Sequence, residues 1–179
     1  MGSIDVSRRA LLKGKLRPEP ALRPPWAVPE PLFLQLCTRC GKCQEACETR
    51  IILQGDGGYP EVDFSRGECT FCQACVDSCP EDALEVIGTN QGVVADKRQS
   101  PVPWNNIAAI GEECLGFQGV YCKSCGEVCE MEAIRFAFNS GRIPVPSVDS
   151  DACNGCGACV SVCPLEVIKV GQESVEMNV

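Results

Sequence analysis

The chain has 179 residues, with 16 Cys, no His, only ten aromatic residues (six Phe, two Tyr, two Trp) and a formal net charge of −8. The absence of His excludes Ser-His-Asp and Cys-His catalysis, imidazole zinc sites, Rieske centres and His-ligated haem. Because aromatic side chains are few and cysteines are dense, disulfides or metal are expected to hold the chain together.

Residues 1–31 form a basic, Pro-rich arm with six Lys and Arg against three Asp and Glu, a net charge of +3, whereas the rest carries ten against twenty-one, −11. Segment Ser7–Lys13 is similar to a twin-arginine export signal, but Leu16–Pro25 follows it, charged and broken by proline, where such a signal needs an apolar stretch. We therefore expect a cytoplasmic protein, in which paired thiols bind metal more often than they form disulfides. The acidic remainder argues against a nucleic-acid partner, and no apolar run is long enough for a membrane span.

The cysteines fall into four runs along the chain, each with three cysteines and then a fourth after three further residues. The runs are Cys37, Cys40, Cys43 and Cys47; Cys69, Cys72, Cys75 and Cys79; Cys114, Cys122, Cys125 and Cys129; and Cys153, Cys156, Cys159 and Cys163. Three runs have the C-x2-C-x2-C-x3-C spacing of bacterial ferredoxins, and the third run widens only its first gap. Zinc would favour separated pairs of ligands. The spacing thus predicts [4Fe–4S] clusters as the cofactors, ahead of zinc or disulfides.

The four runs form two matching halves, each with a Cys-Glu run followed by a Cys-Pro run, which indicates an internal repeat. In two-cluster ferredoxins the fourth Cys of a run ligates the other cluster, so we expect four sets. The first set is Cys37, Cys40, Cys43 and Cys79; the second is Cys69, Cys72, Cys75 and Cys47; the third is Cys114, Cys122, Cys125 and Cys163; the fourth is Cys153, Cys156, Cys159 and Cys129. Gly116–Tyr121 interrupts the third run, so three clusters and an empty remnant are the alternative.

The predicted fold class is α+β, with two small tandem ferredoxin-like units of the bacterial 2[4Fe–4S] type, organised by clusters and with little regular secondary structure. The expected divisions are the arm 1–31, unit 1 at 32–88, a polar linker at 89–105 and unit 2 at 106–179. Each fourth cysteine is expected to start a short helix, at 46–51, 80–84, 130–134 and 164–167. Short strands are predicted at 59–64, 84–87, 134–138 and 167–170.

No catalytic constellation is found, because the chain has no Gly-rich nucleotide motif and no cysteine outside the four runs. The sequence therefore predicts an electron-transfer or accessory protein and not an enzyme.

The arm and the Gly57–Pro60 segment make a likeness to a known family more specific than the cysteine spacing alone would. The chain resembles the NapF family of ferredoxin-type proteins, encoded with bacterial periplasmic nitrate reductases, at Asp5–Arg9, Arg23–Trp26, Cys37–Cys40, Gly57–Pro60 and Cys153–Cys159. The resemblance implies a cytoplasmic accessory protein that acts on the catalytic subunit of the periplasmic nitrate reductase before export, in maturation, cluster assembly or reduction. Members of the family usually have three ferredoxin-type motifs, which leaves open whether the Cys114 to Cys129 run is a ligand set. A general electron carrier in nitrate respiration and a structural subunit are the alternatives. A docking factor could use the arm ending at Trp26 as its anchor.

Overall fold

The computed structural model describes residues 21–85, 104–138 and 141–172, and all sixteen cysteines lie within these ranges. Its helices are short: α1 (Glu30–Leu36), α2 (Lys42–Ala46), α3 (Ala74–Asp77), α4 (Ser124–Glu127) and α5 (Ala158–Ser161). Its strands are β1 (Ile52–Gln54), β2 (Pro60–Val62), β3 (Asn106–Ile110), β4 (Ile134–Ala137), β5 (Val145–Val148) and β6 (Ile168–Gln172). None of the helices in the described ranges is long and apolar enough to cross a bilayer.

Each half of the chain has two antiparallel pairings, an inner one between segments close in sequence and an outer one between segments that flank it in sequence. The inner pairs are β1 with β2 and β4 with β5, and the outer pair of the second half is β3 with β6, where Ile110 lies opposite Ile168. In the first half a bridge between Ala27 and Leu84 takes the place of that outer pair. The described residues thus form two small units in tandem with little regular secondary structure, as predicted.

The helices lie before the fourth cysteines and not after them, so that part of the prediction is wrong. Each of α2 to α5 carries the third cysteine of its run and ends shortly before the fourth. Pro80 and Pro164 disfavour helical backbone at the cysteine that precedes them. In every run the third residue after the fourth cysteine has left-handed backbone, which stops any continuing helix. These residues are Arg50 (φ 56°), Asp82 (φ 50°), Glu132 (φ 50°) and Glu166 (φ 54°).

The strand predictions match in part. β4 and β6 lie where strands were predicted at 134–138 and 167–170, and β2 lies within 59–64. Of the strand predicted at 84–87, Leu84 forms the bridge, while residues 86–87, like 89–103 of the predicted linker, lie outside the described residues. β1, β3 and β5 were not predicted.

The larger hydrophobic core lies in the first half, around the fully buried Phe33. The Arg23 guanidinium lies 5.1 Å from the centre of the Phe33 ring, and Tyr59 packs against the same ring at 6.3 Å. The second core is small and includes two buried cysteines, Cys125 and Cys159. Apolar packing in both halves therefore converges on the cysteine loops.

Residues 22–28 pack onto the first half and are not a free arm. Trp26 is buried, with its ring edge-on to Phe71 at 6.3 Å. Arg23 forms an ion pair with Glu30 at 2.7 Å and donates a hydrogen bond to the Pro60 carbonyl at 3.1 Å. Trp26 therefore cannot serve as the exposed anchor that the sequence suggested, and an arm role stays a prediction for residues 1–20, outside the described residues.

Candidate metal centres

The first set gathers around one open cavity. Cys37, Cys40 and Cys43 of the first run line it together with Cys79, the last cysteine of the second run. The empty volume of this cavity, with its open mouth included, is about 470 Å³. Helices α2 and α3 pack against each other here, which brings the ends of the two runs together.

The second set also combines two runs. Burial raises the pKa of the Cys69 thiol to about 11, and the neighbouring thiolates of Cys47 and Cys72 add to this increase. Cys75 is buried, and the neighbouring thiolates of Cys69, Cys43 and Cys72 raise its pKa further. Cys47 of the first run therefore lies close enough to Cys69 to affect the pKa of its thiol, which is compatible with exchanged fourth ligands.

The second half repeats both arrangements. Cys114, Cys122, Cys125 and Cys163 line a cavity with an empty volume of about 350 Å³. Burial and the neighbouring thiolates of Cys156, Cys153, Cys125 and Cys129 raise the pKa of Cys159. The cavities thus bring together the members of the first and third expected sets. The cysteines of the second and fourth sets have electrostatic neighbours from their own and from adjacent sets. Metal ligation by all four sets stays a prediction.

The interruption in the third run folds into a compact turn. The backbone N–H groups of Phe117 and Gln118 donate to the Cys114 carbonyl at 2.9 and 3.0 Å, and that of Val120 donates to the Leu115 carbonyl at 2.8 Å. Because the extra residues turn back on themselves, Cys114 reaches the same cavity as Cys122. The geometry therefore favours a complete third set over a remnant.

The thiols are available for metal, since all sixteen cysteines are free. Burial raises the pKa of Cys75 and of Cys159 to about 12, with contributions from neighbouring thiolates, so both are neutral thiols near pH 7 in the metal-free chain. Binding of iron must displace these protons, which couples metal loading to pH. Burial alone would also raise the pKa of Cys47, but hydrogen bonds from Thr49 and from the backbone around residues 50–52 outweigh it and lower that pKa.

Three hydrogen-bonding groups close to sulfur were not predicted. The Ala108 N–H donates to Cys153 Sγ at 3.5 Å, the Thr49 hydroxyl lies 3.5 Å from Cys47 Sγ, and the Ser124 hydroxyl lies 3.8 Å from Cys122 Sγ. Hydrogen bonds to sulfur are one of the factors that set cluster potential. A hydroxyl residue two positions after a cysteine is a sequence signal that could have predicted the Thr49 and Ser124 contacts. The Ala108 N–H donor has no such signal, because its place depends on where β3 lies.

The donor chemistry fits iron–sulfur clusters. Within the described ranges, no three Cys, Asp or Glu side chains converge on one point as a single metal ion requires. The first and third sets instead supply four thiols around a larger space, and four Cys thiolates are the usual ligands of a [4Fe–4S] cluster.

Comparison with protein families agrees with this chemistry. Residues 36–84 and residues 120–167 each match a family model described as a 4Fe-4S dicluster domain. The chain thus contains two dicluster domains, one in each half, and carries several [4Fe–4S] clusters. No solved structure matches the chain.

Similar proteins extend the likeness beyond the two domains. The Ferredoxin-type protein NapF of Escherichia coli (strain K12) is 41% identical over 92% of this chain and 94% of its own. The NapF protein of Haemophilus influenzae is 39% identical over 92% of this chain and 93% of its own. The Methylamine utilization ferredoxin-type protein MauM of Methylophilus methylotrophus is 34% identical over 90% of this chain and 75% of its own. The chain therefore belongs to the NapF family of ferredoxin-type iron–sulfur proteins.

Proposed function

We propose that the sixteen cysteines hold four [4Fe–4S] clusters, each bound by three cysteines of one run and the fourth cysteine of the paired run. The observation that carries this assignment is that Cys79 and Cys163 line the cavities formed by the first three cysteines of the opposite runs. When bound, each cluster accepts and releases one electron. The chain's own contribution is to hold the thiols, shield them and donate hydrogen bonds to sulfur.

The proposed role is that of a cytoplasmic accessory protein for the catalytic subunit of a periplasmic nitrate reductase, acting in maturation, cluster assembly or reduction before export. Identity of 41% to a NapF protein over 92% of the chain supports this role, because the match extends well beyond the two dicluster domains. A general electron carrier in nitrate respiration is the second candidate. It is favoured by the likeness to MauM, a ferredoxin-type protein of methylamine utilization, which extends over 90% of the chain.

Iron and acid-labile sulfide content tests the cofactor assignment. Anaerobically purified full-length protein should contain about 16 iron atoms and about 16 sulfide ions per chain, because each cluster holds four of each. The variant Cys114→Ser should have about four fewer iron atoms if the third set holds a cluster. About 12 iron atoms in the unaltered chain, unchanged by Cys114→Ser, would mean that the third set holds no cluster. A colourless protein without sulfide would overturn the whole assignment.

Direct binding to the purified catalytic subunit of the nitrate reductase tests the role. We expect the full chain to bind the subunit before its cofactors are inserted, as measured by co-elution in size-exclusion chromatography. Removing residues 1–20 should weaken this binding without changing iron content, because the packed residues 22–28 are retained. A full-length variant with Arg8, Arg9, Lys13 and Lys15 changed to Gln separates charge from length.

The outcomes of the binding experiment are distinct. Equal binding by the truncated and full chains would remove the arm from the interface and leave the accessory role in place. If the full, iron-loaded chain does not bind the catalytic subunit at all, the accessory role is wrong and the electron-carrier role is favoured.

A further inference from the structure

The two halves meet through the loops of the second and fourth runs. The backbone N–H of Cys69, the first cysteine of the second run, donates to the carbonyl of Cys156 in the fourth run at 2.8 Å. The short 3-10 turn Phe64–Arg66 packs against α5, the helix that carries Cys159. The contact between the halves is therefore made beside the second and fourth sets.

Helix packing places the other two sets outside this contact. Helix α2, with Cys43 of the first set, packs against α3, with Cys75 of the second set. Helix α4, with Cys125 of the third set, packs against α5, with Cys159 of the fourth set. The order in space is thus first, second, fourth and third, which differs from the order along the chain.

Aromatic side chains close the contact between the halves. Trp104 lies edge-on to Phe64 at 6.0 Å and to Phe71 at 6.2 Å, and its indole N–H donates to the Asn154 carbonyl at 3.2 Å. Gly157 lies so close to Phe64 that a Cβ atom on the glycine would overlap the ring. We call this region the seam and define it by Phe64, Cys69, Trp104, Cys156 and Gly157. Edge-to-face aromatic packing stabilises this contact.

We propose that the four sets form one unbranched row and that electrons pass between the halves at the seam, from the second set to the fourth or in reverse. In this step the cluster that one set would hold would lose one electron and the cluster that the other set would hold would gain it, with no bond formed or broken and no proton moved. Close and fixed approach matters because electron tunnelling slows steeply with separation. This inference rests on the proposed assignment of clusters to the four sets.

The chain offers a matched pair of variants for testing the seam. Gly41 and Gly157 each follow the second cysteine of a run, and both have left-handed backbone, with φ values of 79° and 81°. A Cβ on Gly41 meets nothing within 4 Å, whereas one on Gly157 overlaps Phe64. Gly157→Ala and Gly41→Ala therefore impose the same backbone strain, and only Gly157→Ala spreads the seam.

Photoreduced deazaflavin supplies one electron per chain to the iron-loaded full-length protein. Freeze-quench EPR then follows how that electron redistributes among the clusters. We expect redistribution between the halves to be severalfold slower in Gly157→Ala than in the unaltered chain, and unchanged in Gly41→Ala. The same rate in both variants, each with full iron content, would overturn the proposal. If Gly157→Ala fails to bind its full iron, Phe64→Leu replaces it, and unchanged redistribution in that variant would likewise overturn the proposal.

Iron content separates this inference from the cofactor assignment on which it rests. If iron content is full and Gly157→Ala does not slow electron redistribution, only the proposed electron path through the seam is wrong. If the unaltered chain has low iron content, the cluster assignment itself is wrong.

Discussion

Cys79→Ser should abolish the same EPR signal as Cys37→Ser, and a different one from Cys72→Ser, although Cys72 is the much nearer neighbour in sequence. The reason is that Cys79 lies in the cavity of Cys37, Cys40 and Cys43. We expect each single variant to lose about four of about 16 iron atoms, because one missing thiolate labilises one cluster. EPR spectra of the reduced full-length variants, with iron content measured on the same samples, provide the comparison.

The second half contains the matched control for this exchange. Cys163 lines the cavity of Cys122 and Cys125, so Cys163→Ser and Cys122→Ser should share one lost signal, distinct from that of Cys156→Ser. If Cys79→Ser instead reproduces the spectrum of Cys72→Ser, each run binds its own cluster and the exchange is wrong.

Phe33→Ala should destabilise the first half by about 3–5 kcal/mol, the usual cost of removing a buried phenyl ring. Phe33 has no exposed surface and packs beneath Arg23 and beside Tyr59, so truncation leaves a cavity in the first hydrophobic core. The measurement is the guanidinium concentration at which cluster absorbance is half lost under anaerobic conditions. The midpoint for Phe33→Ala should lie well below that of the unaltered chain.

Leu34→Ala is the control, because Leu34 is the next residue in α1 and is 41% exposed. Its cost should stay within about 0.5 kcal/mol, as for most surface substitutions. Equal midpoints for Phe33→Ala and Leu34→Ala would mean that this core does not support the cysteine loops.

The grouping of cysteines was predictable because it depends on short spacings that the sequence states directly. Three cysteines at x2 spacing must share a loop, and the Cys-Glu and Cys-Pro repeat identifies which runs belong together. The widened gap before Cys122 could also be read from the sequence. The compact turn that this gap forms could not be predicted, because backbone hydrogen bonds close it and no side chain marks it.

The helices were misplaced because helices of four or five residues have no amphipathic period to detect. Their position follows from where the chain must turn at Arg50 and at Asp82. Left-handed backbone is uncommon even for Asp, which is enriched there, and Arg is not enriched, so neither residue marks the turn clearly in the sequence. The seam was equally hidden. Phe64 and Gly157 lie in different halves, and only tertiary packing brings that ring onto that glycine.

The left-handed residue that recurs after every fourth cysteine also matters to anyone who wishes to engineer this scaffold. Arg50, Asp82, Glu132 and Glu166 are all exposed, so their side chains contribute little packing to offset an unfavourable backbone. Asparagine tolerates that backbone better than most residues and adds less freedom to the unfolded chain than glycine does. Substitution by Asn at these four surface positions is therefore expected to increase the folding stability of an electron-transfer module without altering either core or any cysteine ligand.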